Sequence, residues 1–184
     1  MIKFMKCKKI VSMDEKITHK LQLSKERRFL YGISVFFAHS GDSWFWFAGL
    51  LLLWFLSENF RATAAFFMIA ISIQAILVLS LKFLIKRSRP EGDWGSIYRN
   101  TDPHSFPSGH AVRAVMLAIL AWGIGNIPLA IILSIWAPLV GIARVMLGVH
   151  YCIDIIAGWI IGLLLGFSML ALQPIFIRMF PFLL

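Results

Sequence analysis

The chain has 184 residues, 59% of them apolar and 15% charged, whereas about a quarter of an ordinary soluble domain is charged; this is the composition of a membrane protein. The formal net charge of +9 does not describe a nucleic-acid surface. Nine of the eighteen Lys and Arg residues precede Phe29, a juxtamembrane cluster of the kind held at the cytoplasmic face by the positive-inside bias and by anionic headgroups.

Residues 1–28 are therefore read as a basic cytoplasmic tail ahead of one membrane-embedded domain, 29–184, which no linker, repeat or low-complexity tract divides. Within the tail, Ile10, Met13, Ile17 and Leu21 recur near helical spacing between charges. That pattern suits a short interfacial helix, and a partly ordered tail fits it equally. Apolar sequence begins only after Arg28 and no small-residue cleavage site follows, so the N-terminus is expected to be retained. Cys7 and Cys152 suggest no disulfide framework and are read as free thiols.

Six spans are predicted in an all-α, polytopic helical bundle: 29–38, 44–56, 64–84, 109–122, 127–145 and 151–172. The first is short for a hydrocarbon core of about 30 Å, so Arg27 and Arg28 are expected to snorkel. Trp44, Trp46 and Trp54 on the second favour the headgroup boundary. Pro128 and Pro138 predict a bend in the fifth, and Gly158, Gly162 and Gly166 on the sixth form a stripe for close helix packing. With the tail inside, parity places 39–43, 85–108 and 146–150 on the outer face. Lys82, Lys86, Arg87, Arg89 and Arg99 then run against the orientation rule, and anion binding is the simplest reason for them.

Three segments carry unusual polar residues. Lys82, Lys86 and Arg89 recur at i, i+4 and i+7 before Pro90 turns the chain; such a stripe suits a phosphate, and equally suits snorkelling cations. In Ser105-Phe-Pro-Ser-Gly-His110, Ser108 is an N-cap candidate, Gly109 leaves the helix N-terminus open to an anion, and His110 is placed to donate a proton. A capped helix with an interfacial histidine would look the same. His150 and Asp154 stand at i, i+4, a spacing that lets a carboxylate hold one ring nitrogen and free the other as a nucleophile. A structural pair joining two helices is the alternative. Asp102 and His104, in the loop before the second segment, are candidates to line an entrance, and Arg113 is a candidate for headgroup contact or for helix pairing.

Together the segments resemble the signature of the type 2 phosphatidic acid phosphatase superfamily, which includes bacterial acid phosphatases and vanadium haloperoxidases. Lys82 to Arg89-Pro90, Pro107 to His110, and Arg144 to His150 to Asp154 keep its order and spacings. Ala143 stands where that family usually has Ser, which removes a hydroxyl that could contact phosphate or orient Arg144.

The resemblance implies a metal-independent phosphatase without cofactor, its site at the outer membrane–water boundary; spans open laterally to lipid favour a lipid phosphate as substrate, and the short chain and small outer loops suggest a bacterial cytoplasmic membrane. His150 would attack phosphorus, Asp154 would orient it, His110 would protonate the leaving oxygen, and Lys82, Arg89, Ser108, Gly109 and Arg144 would hold the phosphoryl oxygens. Phosphatidylglycerophosphate, undecaprenyl diphosphate, phosphatidic acid and lipid A phosphate all remain open as substrates. The rival readings are a phosphotransferase using the same phosphohistidine, and a non-enzymatic channel or scaffold.

Overall fold

The computed structural model describes residues 8–91, 94 and 102–179; Cys7 and Arg99 lie outside these. Among the described residues there are seven helices: α1 (Lys8–Leu21), α2 (Arg28–Ser40), α3 (Ser43–Leu56), α4 (Glu58–Ile85), α5 (Gly109–Gly123), α6 (Ile127–Met146) and α7 (Cys152–Met179). They form a polytopic membrane bundle. Its centre is apolar: Phe66, Phe67 and Ile71 of α4 meet Met116, Leu117 and Leu120 of α5, Leu133 of α6 and Met169 of α7. The glycine stripe packs α7 on α5 as predicted. A Cβ at Gly162 would stand 2.6 Å from the Val112 carbonyl oxygen, and one at Gly158 3.0 Å from that of Ser108.

After α1 the six helices match the predicted spans, but the first two make a single crossing. α2 has 13 residues and α3 has 14, about 20 and 21 Å at 1.5 Å per residue, and they lie in line along one neighbour rather than side by side. Both run antiparallel to α6. Ser34 lies against Met146, the Ser40 hydroxyl accepts from Trp136, and Trp46 of α3 stacks near Trp136 at 5.3 Å. End to end they match the 28-residue α4, so among the described residues α2 and α3 together run the length of the bundle once, and the helices after α1 run it five times.

This overturns the predicted separation of the basic tail from the motif loops. α1 lies at the motif end: Asp14 pairs with Arg87 at 2.7 Å, its other oxygen accepts from the Ile153 amide at 3.2 Å, and the Leu23 amide donates to the Met146 carbonyl at 2.9 Å. Parity failed because it counted α2 and α3 as two crossings. α1 is otherwise the interfacial helix its periodicity predicts. Asp14 and Thr18 are buried, while Ile10, Met13, Ile17 and Leu21 are exposed.

α5 sets the depth of the site. Its first residue, Gly109, accepts from Gln74 Nε2 at 3.3 Å, and α4 continues eleven residues beyond Gln74, a rise of about 16 Å. The N-terminus of α5 is therefore recessed below the end of α4. Residues 102–108 lead into that recess, where the Ser105 amide donates to the Arg87 carbonyl at 2.8 Å.

Candidate active site

Three helix ends converge on the recess: the last turn of α4 brings Lys82, the first turn of α5 brings His110, and the last turn of α6 brings Arg144. With His150, Gly109, Asp102, Ser43 and α4 residues they line a cavity of about 180 Å³. Lys82, Arg89, Arg144 and His150 are all buried. Lys82, Arg144, His150 and the equally buried Arg113 line the cavity, and Arg89 stands behind it; so much buried positive charge is costly unless an anion enters.

A carboxylate already stands among them. Asp102 takes a hydrogen bond from Lys82 Nζ, one from Arg89 Nη2 at 2.8 Å on the same oxygen, and gives its carbonyl to Arg89 Nε at 2.7 Å. The Lys82–Arg89 pair thus holds an anionic oxygen in the way a phosphoryl oxygen would be held.

His150 sits behind this pair. Its Nε2 is 3.4 Å from Arg89 Nη1, and its Nδ1 is 3.5 Å from Asp154 Oδ2. Nδ1 forms no hydrogen bond in this geometry; Asp154 Oδ2 instead accepts from the Tyr151 amide at 2.9 Å, and Oδ1 from Arg87 Nη1 at 2.7 Å. Catalytic bonds of this kind are often long in an empty site and tighten when substrate enters. Burial, and then the charges of Arg89, Arg144 and Lys82, push the His150 imidazole well below its ordinary value of 6.5. These effects favour the neutral imidazole, the form a nitrogen nucleophile needs.

Sequence comparison supports the same grouping. The model of the PAP2 superfamily matches residues 63–178. The chain belongs to this superfamily. It is 37% identical over 95 residues to decaprenylphosphoryl-5-phosphoribose phosphatase of Mycobacterium tuberculosis, covering 50% of each chain. It is 30% identical over 150 residues to undecaprenyl-diphosphatase of Sulfolobus acidocaldarius, covering 75% of this chain and 68% of that one. The chain spans about half the length of the M. tuberculosis relative and of other curated relatives matched at 37% identity. Its fold is similar to that of the transmembrane PAP2-type phosphatidylglycerolphosphate phosphatase of Bacillus subtilis, with a TM-score of 0.76 and 24% identity over 92% of this chain and 88% of that one.

Not every residue of the PAP2 motifs reaches the cavity as the sequence suggested. α4 ends at Ile85 with Lys86 in the left-handed region at φ 53°, so Lys86 is exposed off the helix and the proposed cationic stripe is broken. Arg89 returns to the site only because the chain turns. Ser108 acts as the N-cap, its Oγ accepting from Ala111 N at 3.5 Å while its amide donates to the Asp154 carbonyl at 3.1 Å. A Cβ at Gly109 would make only ordinary contact with Val78, at 3.4 Å, so this glycine is not required by the packing of α4 on α5, and its place is on the cavity wall.

Arg113 lines the cavity, but its guanidinium is engaged in helix pairing: Nε and Nη2 donate to the Gly41 carbonyl at 3.0 and 2.6 Å, and Nη1 to Ser43 Oγ at 2.7 Å. His104 packs edge-on against Phe83 at 5.6 Å, while Asp102 does line the cavity. Arg87, grouped in the sequence with the anion-binding cations, instead joins Asp154 to Asp14. Sequence reasoning missed Asp42, whose Oδ1 lies 2.7 Å from His110 Nε2. A lone acid between two apolar helices was the signal for it.

Proposed function

We propose that this PAP2 chain is a membrane lipid phosphatase that hydrolyses a phosphate monoester or diphosphate headgroup through a phosphohistidine. The observation that carries the reading is the buried His150 lining a cavity at whose edge the Lys82–Arg89 pair already holds a carboxylate. An entering phosphoryl group takes the place of Asp102 between these cations. His150 Nε2 attacks phosphorus, the bond to the leaving oxygen breaks, and His110 gives that oxygen a proton. Asp154 steadies the charge that His150 acquires. Water then attacks the phosphohistidine, returning its proton to His110 and releasing phosphate. Lys82, Arg89 and Arg144 are fixed where charge redistributes, which is the main source of rate in such transfers.

A lipid is favoured over a soluble ester by the cavity wall. Ala75 and Leu79 of α4 line it, yet both are exposed on the outside of the bundle, so an acyl or prenyl chain has a path along α4 into the bilayer. We place the protein in a cytoplasmic membrane with its site opening on the cytoplasmic face, not the outer face that parity suggested. The site shares its face with the basic tail, and only Arg61 and Arg178 mark the opposite face among the described residues.

Purified protein in detergent, without added metal, should release phosphate from at least one of phosphatidylglycerophosphate, undecaprenyl diphosphate, phosphatidic acid and lipid A phosphate. Enzyme quenched in base after brief exposure to ³²P-labelled substrate should carry an acid-labile, base-stable label that His150→Ala abolishes together with turnover. Label retained in that variant would end the nucleophile assignment. Transfer of the label to an added lipid alcohol in preference to water would identify a phosphotransferase.

A further inference from the structure

We infer that Asp42 is the positioning residue for the leaving-group acid, holding His110 in the tautomer and charge state that the reaction requires; this rests on the phosphatase reading above. Asp42, the one carboxylate between Arg28 and Leu56, stands in the break between α2 and α3, inside a membrane crossing. A carboxylate there is expensive unless a partner repays it. It has two: Oδ1 is 2.7 Å from His110 Nε2 and Oδ2 is 3.0 Å from His39 Nδ1.

The break is built to keep it there. Arg113, one turn beyond His110 on α5, grips the Gly41 carbonyl with Nε and Nη2 and the Ser43 hydroxyl with Nη1, the residues on either side of Asp42. Nη1 also reaches Gln74 Oε1 of α4 at 3.2 Å. Gly41 lies so close to the imidazole that a Cβ would stand 3.0 Å from His110 Cδ2 and 3.0 Å from Val140 Cγ1. Three helices thus fix the carboxylate against one ring nitrogen of His110.

With Nε2 held by Asp42, Nδ1 is the nitrogen left to serve the cavity that His110 lines. Lys82 from α4, Arg113 from α5, Arg144 from α6 and His150 from the loop after α6 surround the same space, and their positive charge opposes protonation of His110. Asp42 supplies the opposing charge. In the first half-reaction the Nδ1 proton moves to the leaving oxygen as its bond to phosphorus breaks, while the Nε2 proton stays on Asp42's side. In the second, Nδ1 takes a proton from the attacking water, and His110 returns to its starting state.

Asp42→Asn keeps a hydrogen-bond acceptor but removes the charge. It should lower turnover of a lipid monoester by about 10²-fold, the lower end of what a general acid contributes, and much less on an activated aryl phosphate whose leaving group needs no proton. The alkaline limb of the pH–rate profile on the lipid should move to lower pH. Combined with His110→Ala, it should add no further loss. Equal losses on both substrates, an unmoved pH limb, or additive losses in the double variant would overturn the role.

The ³²P label from the aryl phosphate separates this from the phosphatase reading. Label kept in Asp42→Asn and lost in His150→Ala leaves that reading standing whatever the lipid assay shows, whereas label kept in His150→Ala removes it. Should Asp42→Asn not fold, ¹⁵N-histidine spectra of the wild-type protein decide instead. A proton on His110 Nε2 at neutral pH is expected, and a ring protonated only at Nδ1 would overturn the inference.

Discussion

Asp102 places a carboxylate where the proposed mechanism needs a phosphoryl oxygen, and its charge compensates the buried Lys82 and Arg89. Each would otherwise carry an uncompensated desolvation cost of several kcal/mol. Arg144 is buried beside them, and the neighbouring Ala143 points elsewhere, into an apolar cluster with Ala38, Leu147 and Val149. The hydroxyl missing at Ala143 would therefore not reach phosphate. Ala143→Ser is expected to bond a carbonyl one turn back on α6 and to change kcat/KM by less than about tenfold, since a neutral hydrogen bond contributes about 0.5–1.5 kcal/mol. Vanadate affinity measured alongside turnover checks this; tightening well beyond that range would show that residue 143 faces the phosphate after all.

At the level of whole elements, α1 is attached to the site by a buried chain of charges. Asp14 meets Arg87, and Arg87 meets Asp154, each at 2.7 Å, with Arg87 also 4.0 Å from the centre of the Tyr151 ring. Removing one partner of a buried pair leaves a charge uncompensated and costs about 3–5 kcal/mol. Asp14→Asn should lower stability by about 3 kcal/mol in denaturant titrations in detergent, and should reduce turnover because Arg87 is then free to draw Asp154 away from His150. A variant as stable and active as the parent would show that α1 rests on the site without supporting it. The broken α2–α3 crossing serves the site in a different way: a continuous helix would carry no carboxylate to His110 at that depth, and the break supplies one.

For the molecule as a whole, α1 and the candidate site lie at one end of the bundle and the end of α7 at the other. The orientation proposed above rests on charge. With Cys7 and Cys152 replaced, a membrane-impermeant thiol reagent applied to intact cells should label a cysteine at exposed Asn59, at the start of α4, and should leave one at exposed Glu91 unlabelled until the cells are permeabilised. The reverse pattern would place the site on the outer face and show that the basic tail had been overridden as a topological signal.

The sequence by itself determined the helices and the candidate site residues. Hydropathy placed all six apolar helices to within a few residues, except that α4 starts six residues before, and α7 ends seven residues after, the predicted span, because long apolar runs fix helices in lipid through backbone hydrogen bonding alone. The motif spacings supplied Lys82, Arg89, His110, Arg144, His150 and Asp154, which the fold brings together around or behind one cavity. Only the tertiary structure decided how many times the chain crosses, since two short helices read alike whether they turn back or continue in line. It also decided the partners Asp42, Asp102, Asp14 and Arg87, whose roles depend on contacts 13 to 73 residues apart in sequence. Local pattern carries no information about such pairs, because the desolvation that makes them necessary exists only once the helices have packed.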